Sequence, residues 1–401
     1  MKRRTYLSAA LVATLAGCSS TEESDGGSDG RQTGAGDDSD PEPFDDFEAL
    51  ESWTASLGTL TADTNRAYAG SQSAKLESGE DNQVRIVREL SEPRDFSGLR
   101  PSLAVATDHE ADLIVQLLDG DGNRLVFRQR AHSDTPLVQY NFGVATVDGE
   151  PDLSAIREVQ ILRWTGDDDK GAVWIDDLRF VSAPDTGKVL FQFDGGYETD
   201  YTGALPLLEE HGYPAVSFVT PSRIREGERA EGDHLIRGHL DELADAGWTI
   251  GSYSMHGLDL TGSSDRNPEA EISDAKAWLE DEGFEEGARY FAYPQGRYDG
   301  DVLETVTTNH DLAFAGRYPS QGIATNPHLC TRITGPDAAT ARSALEITTQ
   351  MGGITSLAFG RLDEASLSVL EETVGRVSDL ESAGDLEVIG PGDVADSFVQ
   401  D

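Results

Sequence analysis

The chain has 401 residues and carries 74 Asp and Glu against 31 Lys and Arg, a formal net charge of −43. That length allows two domains, each with its own core. The acids are spread along the whole chain and lysine is found only at positions 2, 75, 170, 188 and 276, which is a surface adapted to solvent, as in an extreme halophile that keeps molar salt inside. No basic patch is present, which excludes nucleic acid as a partner. No G-x-G-x-x-G stands between a strand and a helix and there is no phosphate loop, so a nucleotide cofactor is not expected.

The N-terminus, "MKRRTYLSAALVATLAGC", has a basic start and an apolar run from Leu7 to Ala16 that is too short to span a bilayer. Leu15-Ala16-Gly17-Cys18 resembles the lipobox of secreted lipoproteins, and Arg3-Arg4 before Thr5-Tyr6-Leu7 resembles a twin-arginine export signal. The resemblance implies a haloarchaeal-type lipoprotein: residues 1–18 are a signal peptide, Cys18 is lipidated, and the protein is exported to the outer face of the cell membrane, which it touches through its lipid anchor only. The alternative is a degraded membrane helix. With Cys18 used in this way, Cys330 is the remaining thiol, so the mature protein has no intrachain disulfide and Cys330 reads as a small buried hydrophobe. Residues 19–43 are Ser, Gly and Asp with almost nothing apolar, and form a disordered acidic linker.

Residues 44–184 show short alternating runs between turn residues, such as "DLIVQLLDGDGNRLVF", "REVQILRW" and "AVWIDDLRF". Asp119-Gly-Asp-Gly-Asn123 is a hairpin signal, and several short strands without a long amphipathic helix predict a two-sheet β-sandwich. From residue 187 to 401 the period changes. Strand-like runs ("KVLFQF", "PAVSFVT", "WTIGSY", "ARYFAY", "DLAFAG", "ITSLAFG", "LEVIG") alternate with helical ones. About seven βα units predict a parallel sheet closed into an irregular (β/α)7 barrel. Such barrels hold their chemistry at the C-terminal strand ends, where Asp194, Tyr253, His256, Tyr293 to Gly296 and Gly360 would converge.

Three phrases of the second half carry a resemblance. Gln192-Phe193-Asp194-Gly195-Gly196-Tyr197 is similar to a Thr-Phe-Asp-Asp-Gly-Tyr motif, "LADAGWTIGSYSMHGLDLT" to an "AGHEIGSH"-type phrase, and Phe291-Ala292-Tyr293-Pro294-Gln295-Gly296 to Ala-Tyr-Pro-Tyr-Gly. In this order and spacing they resemble the polysaccharide deacetylase (NodB homology, carbohydrate esterase family 4) family over residues 187–401. The resemblance implies hydrolysis of acetyl groups on glycans. A zinc ion held by one aspartate and two histidines would activate water, with an aspartate as base and a late histidine as acid. Position by position, Asp194 corresponds to the catalytic base. The metal positions correspond to Gly195, Tyr253 and Gly257, with His256 one residue before the last, and the acid position corresponds to Gly360. The oxyanion N–H would be that of Gln295. Tyr197, Tyr253, Tyr293, Gln295 and Tyr298 remain as groups suited to binding a cell-surface glycan or polysaccharide.

The first half resembles jelly-roll carbohydrate-binding modules through "PFDDFEALESWTA", "AYAGSQSAKLES" and "VWIDDLRF". This implies a structural calcium held by Asp46, Glu48 and Asp177, the alternative being that these are ordinary surface acids. Trp53 and Trp164 either stack on sugar rings or belong to the core. Three functions stay open: a glycan-binding deacetylase relative with impaired or lost hydrolysis; an active deacetylase with a metal site rebuilt from residues such as Asp200, His234, His239 or Asp259; and a structural envelope lipoprotein.

Overall fold

The computed structural model describes residues 43–79, 82–164, 171–227, 229–262 and 267–400. The signal peptide, Cys18 and, apart from Pro43, the acidic linker lie outside the described residues.

Among the described residues the first half forms eleven strands: β1 (Thr54–Leu57), β2 (Thr59–Asp63), β3 (Ser73–Glu77), β4 (Gln83–Arg94), β5 (Leu99–Thr107), β6 (Ala111–Leu118), β7 (Arg124–Ala131), β8 (Val138–Asn141), β9 (Gly143–Asp148), β10 (Ile156–Trp164) and β11 (Ala172–Ser182). They pair antiparallel in two sheets, ordered β1-β4-β10-β6-β7-β9 and β2-β3-β11-β5-β8. Period-2 alternation sets the faces. In β7, Leu125, Phe127 and Gln129 turn inward while Arg124, Val126, Arg128 and Arg130 do not. The β6–β7 turn is tied by the Asp119 carboxylate, which accepts the N–H groups of Asp121 and Asn123, both at 2.9 Å.

The second half alternates parallel strands with helices. Its strands are β12 (Gly187–Gly195), β13 (Val216–Val219), β14 (Thr249–Ser252), β15 (Tyr290–Ala292), β16 (Leu312–Phe314), β17 (Ile333–Thr334), β18 (Ile354–Phe359) and β19 (Leu386–Val388). The helices are α1 (Leu205–Glu209), α2 (Arg237–Asp245), α3 (Pro268–Asp281), α4 (Gly300–Asn309), α5 (Ala338–Met351), α6 (Glu364–Ala383) and α7 (Pro391–Ser397). The sheet runs β16-β15-β14-β13-β12-β18-β17, and β19 also pairs β12. Its edges meet at Cys330, whose N–H donates to Ala313 O at 3.0 Å and whose carbonyl accepts from Ala315 N at 2.8 Å. Eight strands therefore stand where periodicity predicts seven. The extra one, β17, is only two residues long and leaves no periodic signature; its pairing with Leu357 and Ala358 holds it in place. Short acidic side chains start the helices: Asp299, Asp337 and Asp363 accept N–H bonds at the N-termini of α4, α5 and α6.

The second half keeps a core of its own, with Val189, Phe191, Leu240 and Leu370 among its buried residues, but the two halves are joined rather than separate. Residues 41–401 form one compact unit. One buried cluster joins Val115, Phe127, Tyr140 and Phe142 of the sheets to Ile272, Phe291, Tyr293, Val302 and Leu329 of the second half. Backbone bonds stitch the seam, from Val144 N to Pro319 O (2.8 Å) and from Ile323 N to Ser182 O (2.9 Å). A side chain at Gly143 would lie 2.6 Å from the carbonyl oxygens of Tyr318 and Pro319, so only glycine permits this approach. The buried Arg100 guanidinium donates to Ser320 O (2.8 Å), Ser320 Oγ (2.9 Å) and Met351 O (2.6 Å). Alternation marks the inward face of each strand but not which outward residues meet the other half, so the seam has no sequence signature.

Candidate active site

Asp194 stands on β12 just before the two glycines that turn the chain out of the strand, Gly195 and Gly196, both at positive φ (101° and 68°). The turn is tight: a Cβ at Gly195 would lie 2.7 Å from the Tyr197 ring. The carboxylate itself is buried, and its partner is a cation that the motifs do not contain. Arg332, one residue before β17 and fully buried, donates from Nη1 to Asp194 Oδ1 at 2.8 Å. Its Nη2 lies 3.4 Å from the carbonyl oxygen of Tyr293. Burial pushes the Asp194 carboxyl above the usual range, and the guanidinium works against that shift. Two charges taken out of water together persist only because they are paired and further bonded.

Tyr253, at the end of β14, closes the arrangement. Its hydroxyl accepts the Gln295 N–H at 3.1 Å, close enough to the Asp194–Arg332 pair to feel both charges. Burial, reinforced by the Asp194 charge, pushes this phenol up to about 12, so it stays neutral. Gln295 has φ 59°, a left-handed turn that exposes its side chain while aiming its amide at Tyr253. The N–H expected to serve an oxyanion is therefore already bonded to a side chain of the protein.

The other expected residues are distributed as follows. His256 is turned toward α3: its Nδ1 lies 2.8 Å from Glu271 Oε1, and its backbone N–H donates to Glu271 Oε2 at 3.0 Å. Gly257 is at φ 64°, and a Cβ there would lie 2.7 Å from Thr220 Oγ1. Tyr197 packs against His234 with ring centroids 4.6 Å apart. Tyr293 and Tyr298, expected to face a sugar, are both core residues, 0% and 4% exposed, with their rings 5.0 Å apart; the seam covers them. Cys330 is buried, and burial pushes its thiol up to about 12. Gly360 ends β18 with open space around its Cα.

The residues weighed for a rebuilt metal site are dispersed. Asp200 is fully buried and accepts from Ser217 Oγ at 2.7 Å. Burial raises its carboxyl to about 8, and the charge of Asp194 adds to the effect. His234 pairs with Asp233 at 2.8 Å, His239 stacks on Tyr201 at 4.0 Å, and Asp259 pairs with Arg297 at 3.2 Å. Among the described residues no three His, Cys, Asp or Glu side chains stand together as a set able to hold a metal ion. The residues around Asp194 do not fit zinc, because Asp194 is bound to a guanidinium, and Gly195, Tyr253 and Gly257 offer no nitrogen or carboxylate ligand.

In the sheets, Asp46, Glu48 and Asp177 are each engaged separately. Asp46 accepts Glu48 N at 3.1 Å, Glu48 accepts Ser71 N and Oγ, both at 2.6 Å, and Asp177 accepts Gln139 Nε2 at 2.6 Å and Arg179 Nε at 2.7 Å. They are not gathered as a calcium set; Glu48 instead caps the turn at Ser71 and Asp177 serves as a buried ion-pair partner. Trp53 is core and donates to Asp45 Oδ2 at 2.9 Å, whereas Trp164 is 55% exposed.

Motif reasoning missed Arg332. It lies outside all three phrases, in "CTRITG", and its one available signal was an arginine in a strand-like run facing an otherwise unpartnered Asp194.

The family model described as polysaccharide deacetylase matches residues 182–313. A putative polysaccharide deacetylase, YxkH, from Bacillus subtilis (strain 168) is 28% identical over 148 residues, which are 37% of this chain and 48% of the relative. The chain thus spans about half the length of that curated relative. Among solved structures, the family 4 carbohydrate esterase from Streptomyces lividans in complex with acetate aligns at 14% identity and a TM-score of 0.37, over 51% of this chain and 94% of that one. A family 4 carbohydrate esterase from Bacillus anthracis aligns at 18% identity and a TM-score of 0.37, over 54% and 86%. The strand-end motif around Asp194 and the match over residues 182–313 agree: the C-terminal part of this chain carries a polysaccharide deacetylase domain.

Proposed function

We propose that this protein binds glycan through its deacetylase domain and does not run metal-dependent deacetylation there. The observation that carries this reading is the Arg332–Asp194 pair, closed over by Tyr253. A carboxylate held by a buried guanidinium is a weak general base, and a Gln295 N–H already bonded to Tyr253 is a poor oxyanion donor. The exposed Gln295 side chain, the half-buried Tyr197 and the hydroxyl of Tyr253 are groups that meet sugar hydroxyls well. The two antiparallel sheets are read as a carbohydrate-binding-type sandwich beside that domain. Export and lipid anchoring through Cys18 complete the proposal, and a halophilic setting is consistent with the charge of −43. Loss of membrane association in a Cys18→Ala variant is the check on the anchor.

The test of function uses the full chain in molar salt with excess zinc, presented with acetylated chitin- and xylan-type oligosaccharides. Binding without acetate release is expected. Acetate release that zinc stimulates and Asp194→Asn abolishes would instead establish an active enzyme. Neither binding nor release would leave a structural role.

A further inference from the structure

Where the outward face of β7 meets the loops after β15 and β16, the two halves enclose a cavity of about 600 Å³, within the range of small-ligand sites. Its wall includes Gln295, whose backbone is bonded to Tyr253, so the cavity adjoins the Asp194 site. The ionisable groups facing it are Arg130 and His132 with Glu110 from the sheets, and Arg297 and Arg317 from the other half. Glu110 is engaged by Arg130 at 2.6 Å and lies 3.5 Å from His132 Nδ1. Arg297 is half-exposed and paired with Asp259, which does not line the cavity. Arg317 is exposed and has no ion-pair or hydrogen-bond partner among the described residues. Three arginines face one carboxylate here, in a chain where acids outnumber bases by more than two to one.

We propose that this cavity is the subsite for an acidic sugar residue, and hence that the glycan recognised is an anionic polysaccharide bearing carboxylate or sulfate groups. The inference rests on the glycan-binding reading above and deepens it. A guanidinium fork presents paired N–H donors that match a carboxylate or sulfate in geometry as well as charge. Geometry matters here, because charge attraction alone is screened within about 3 Å at 1 M salt. Arg317 is the free fork, Arg297 can share itself between Asp259 and a ligand, and Gln295 and Thr334 line the path as neutral hydrogen-bonding groups. The cavity exists only because the halves are fused: neither Arg130 nor Arg317 would form a wall alone.

The test is titration calorimetry of the full chain with a hyaluronan tetrasaccharide, its carboxyl-reduced neutral counterpart, and a dextran sulfate oligosaccharide beside plain dextran. The acidic member of at least one pair should bind about tenfold or more tighter than its neutral partner, and Arg317→Ala should remove most of that preference while Arg317→Lys keeps part of it. Preference within the first pair assigns carboxylate as the recognised group, and within the second pair sulfate. The unchanged melting temperature of Arg317→Ala, an exposed position, separates lost binding from lost folding. Equal binding of acidic and neutral sugars, or a preference unmoved by Arg317→Ala and by Arg130→Gln, overturns the acidic subsite and leaves glycan binding standing. No binding of any sugar removes both.

Discussion

Arg332 holds the charge of Asp194 where water does not reach it, and the consequence is asymmetric. Replacing Arg332 by Met leaves a buried carboxyl without its cation and should cost about 3–5 kcal/mol, measured by chemical denaturation. Adding Asp194→Asn to that variant should recover much of the loss, since the burden is the orphaned charge rather than the missing contact. If the double variant is no better than Arg332→Met alone, the pair is not coupled as described. Asp200 makes a second residue-scale prediction. Its folded-state carboxyl titrates at about 8, well above the ordinary aspartate value. The folded protein therefore keeps a proton that the unfolded chain releases, its contribution is fully present at low pH, and stability is lost as pH rises toward about 8, by up to about 1.4 kcal/mol per unit. Asp200→Asn imitates the protonated form, so its melting temperature relative to the native protein should improve between about pH 5 and about pH 8. A constant difference across that range would show that Asp200 is ionised in the fold.

At the scale of elements, the segment between β16 and β17 decides most. It carries Arg317 into the cavity, Ser320 and Pro319 onto the sheets, Cys330 across the sheet edges and Arg332 to Asp194. Arg100 fastens it from the other side with three bonds to Ser320 and Met351, and burial lowers this guanidinium to about 10. Arg100→Met should cost roughly 3 kcal/mol, because carbonyls buried in the seam lose their donor. Amide hydrogen exchange should locate the loosening at residues 316–331 and in β5; protection unchanged there would show that Arg100 is not the fastener. The acidic composition also works locally, since aspartates at the starts of α4, α5 and α6 satisfy N–H groups the helices leave open.

The molecule as a whole unfolds as its core dictates. Because one buried cluster spans the sheets and the deacetylase domain, calorimetry of the full chain should record one cooperative transition, and two well-separated transitions would contradict a shared core. A net charge of −43 repels itself, so the transition should move to higher temperature as salt rises from about 0.1 M, where the Debye length is about 10 Å, to 1 M, where it is about 3 Å. Melting that ignores salt would remove the argument from charge.

Much was legible in the chain itself. Period-2 runs marked the antiparallel strands, the switch near residue 187 marked the strand–helix alternation, and the phrases around Asp194, Tyr253 and Tyr293 carried the family resemblance, because these are local patterns written in neighbouring residues. The two-residue β17, the common core that swallowed Tyr293 and Tyr298, and the separate engagements of Asp46, Glu48 and Asp177 were not legible, since each depends on a partner far along the chain. The same holds at the site. The sequence alone determined that Asp194 ends a strand-like run and is followed by two glycines. Only the tertiary structure decided that Arg332, 138 residues away, supplies the cation, because which buried charges meet is settled by packing and not by spacing.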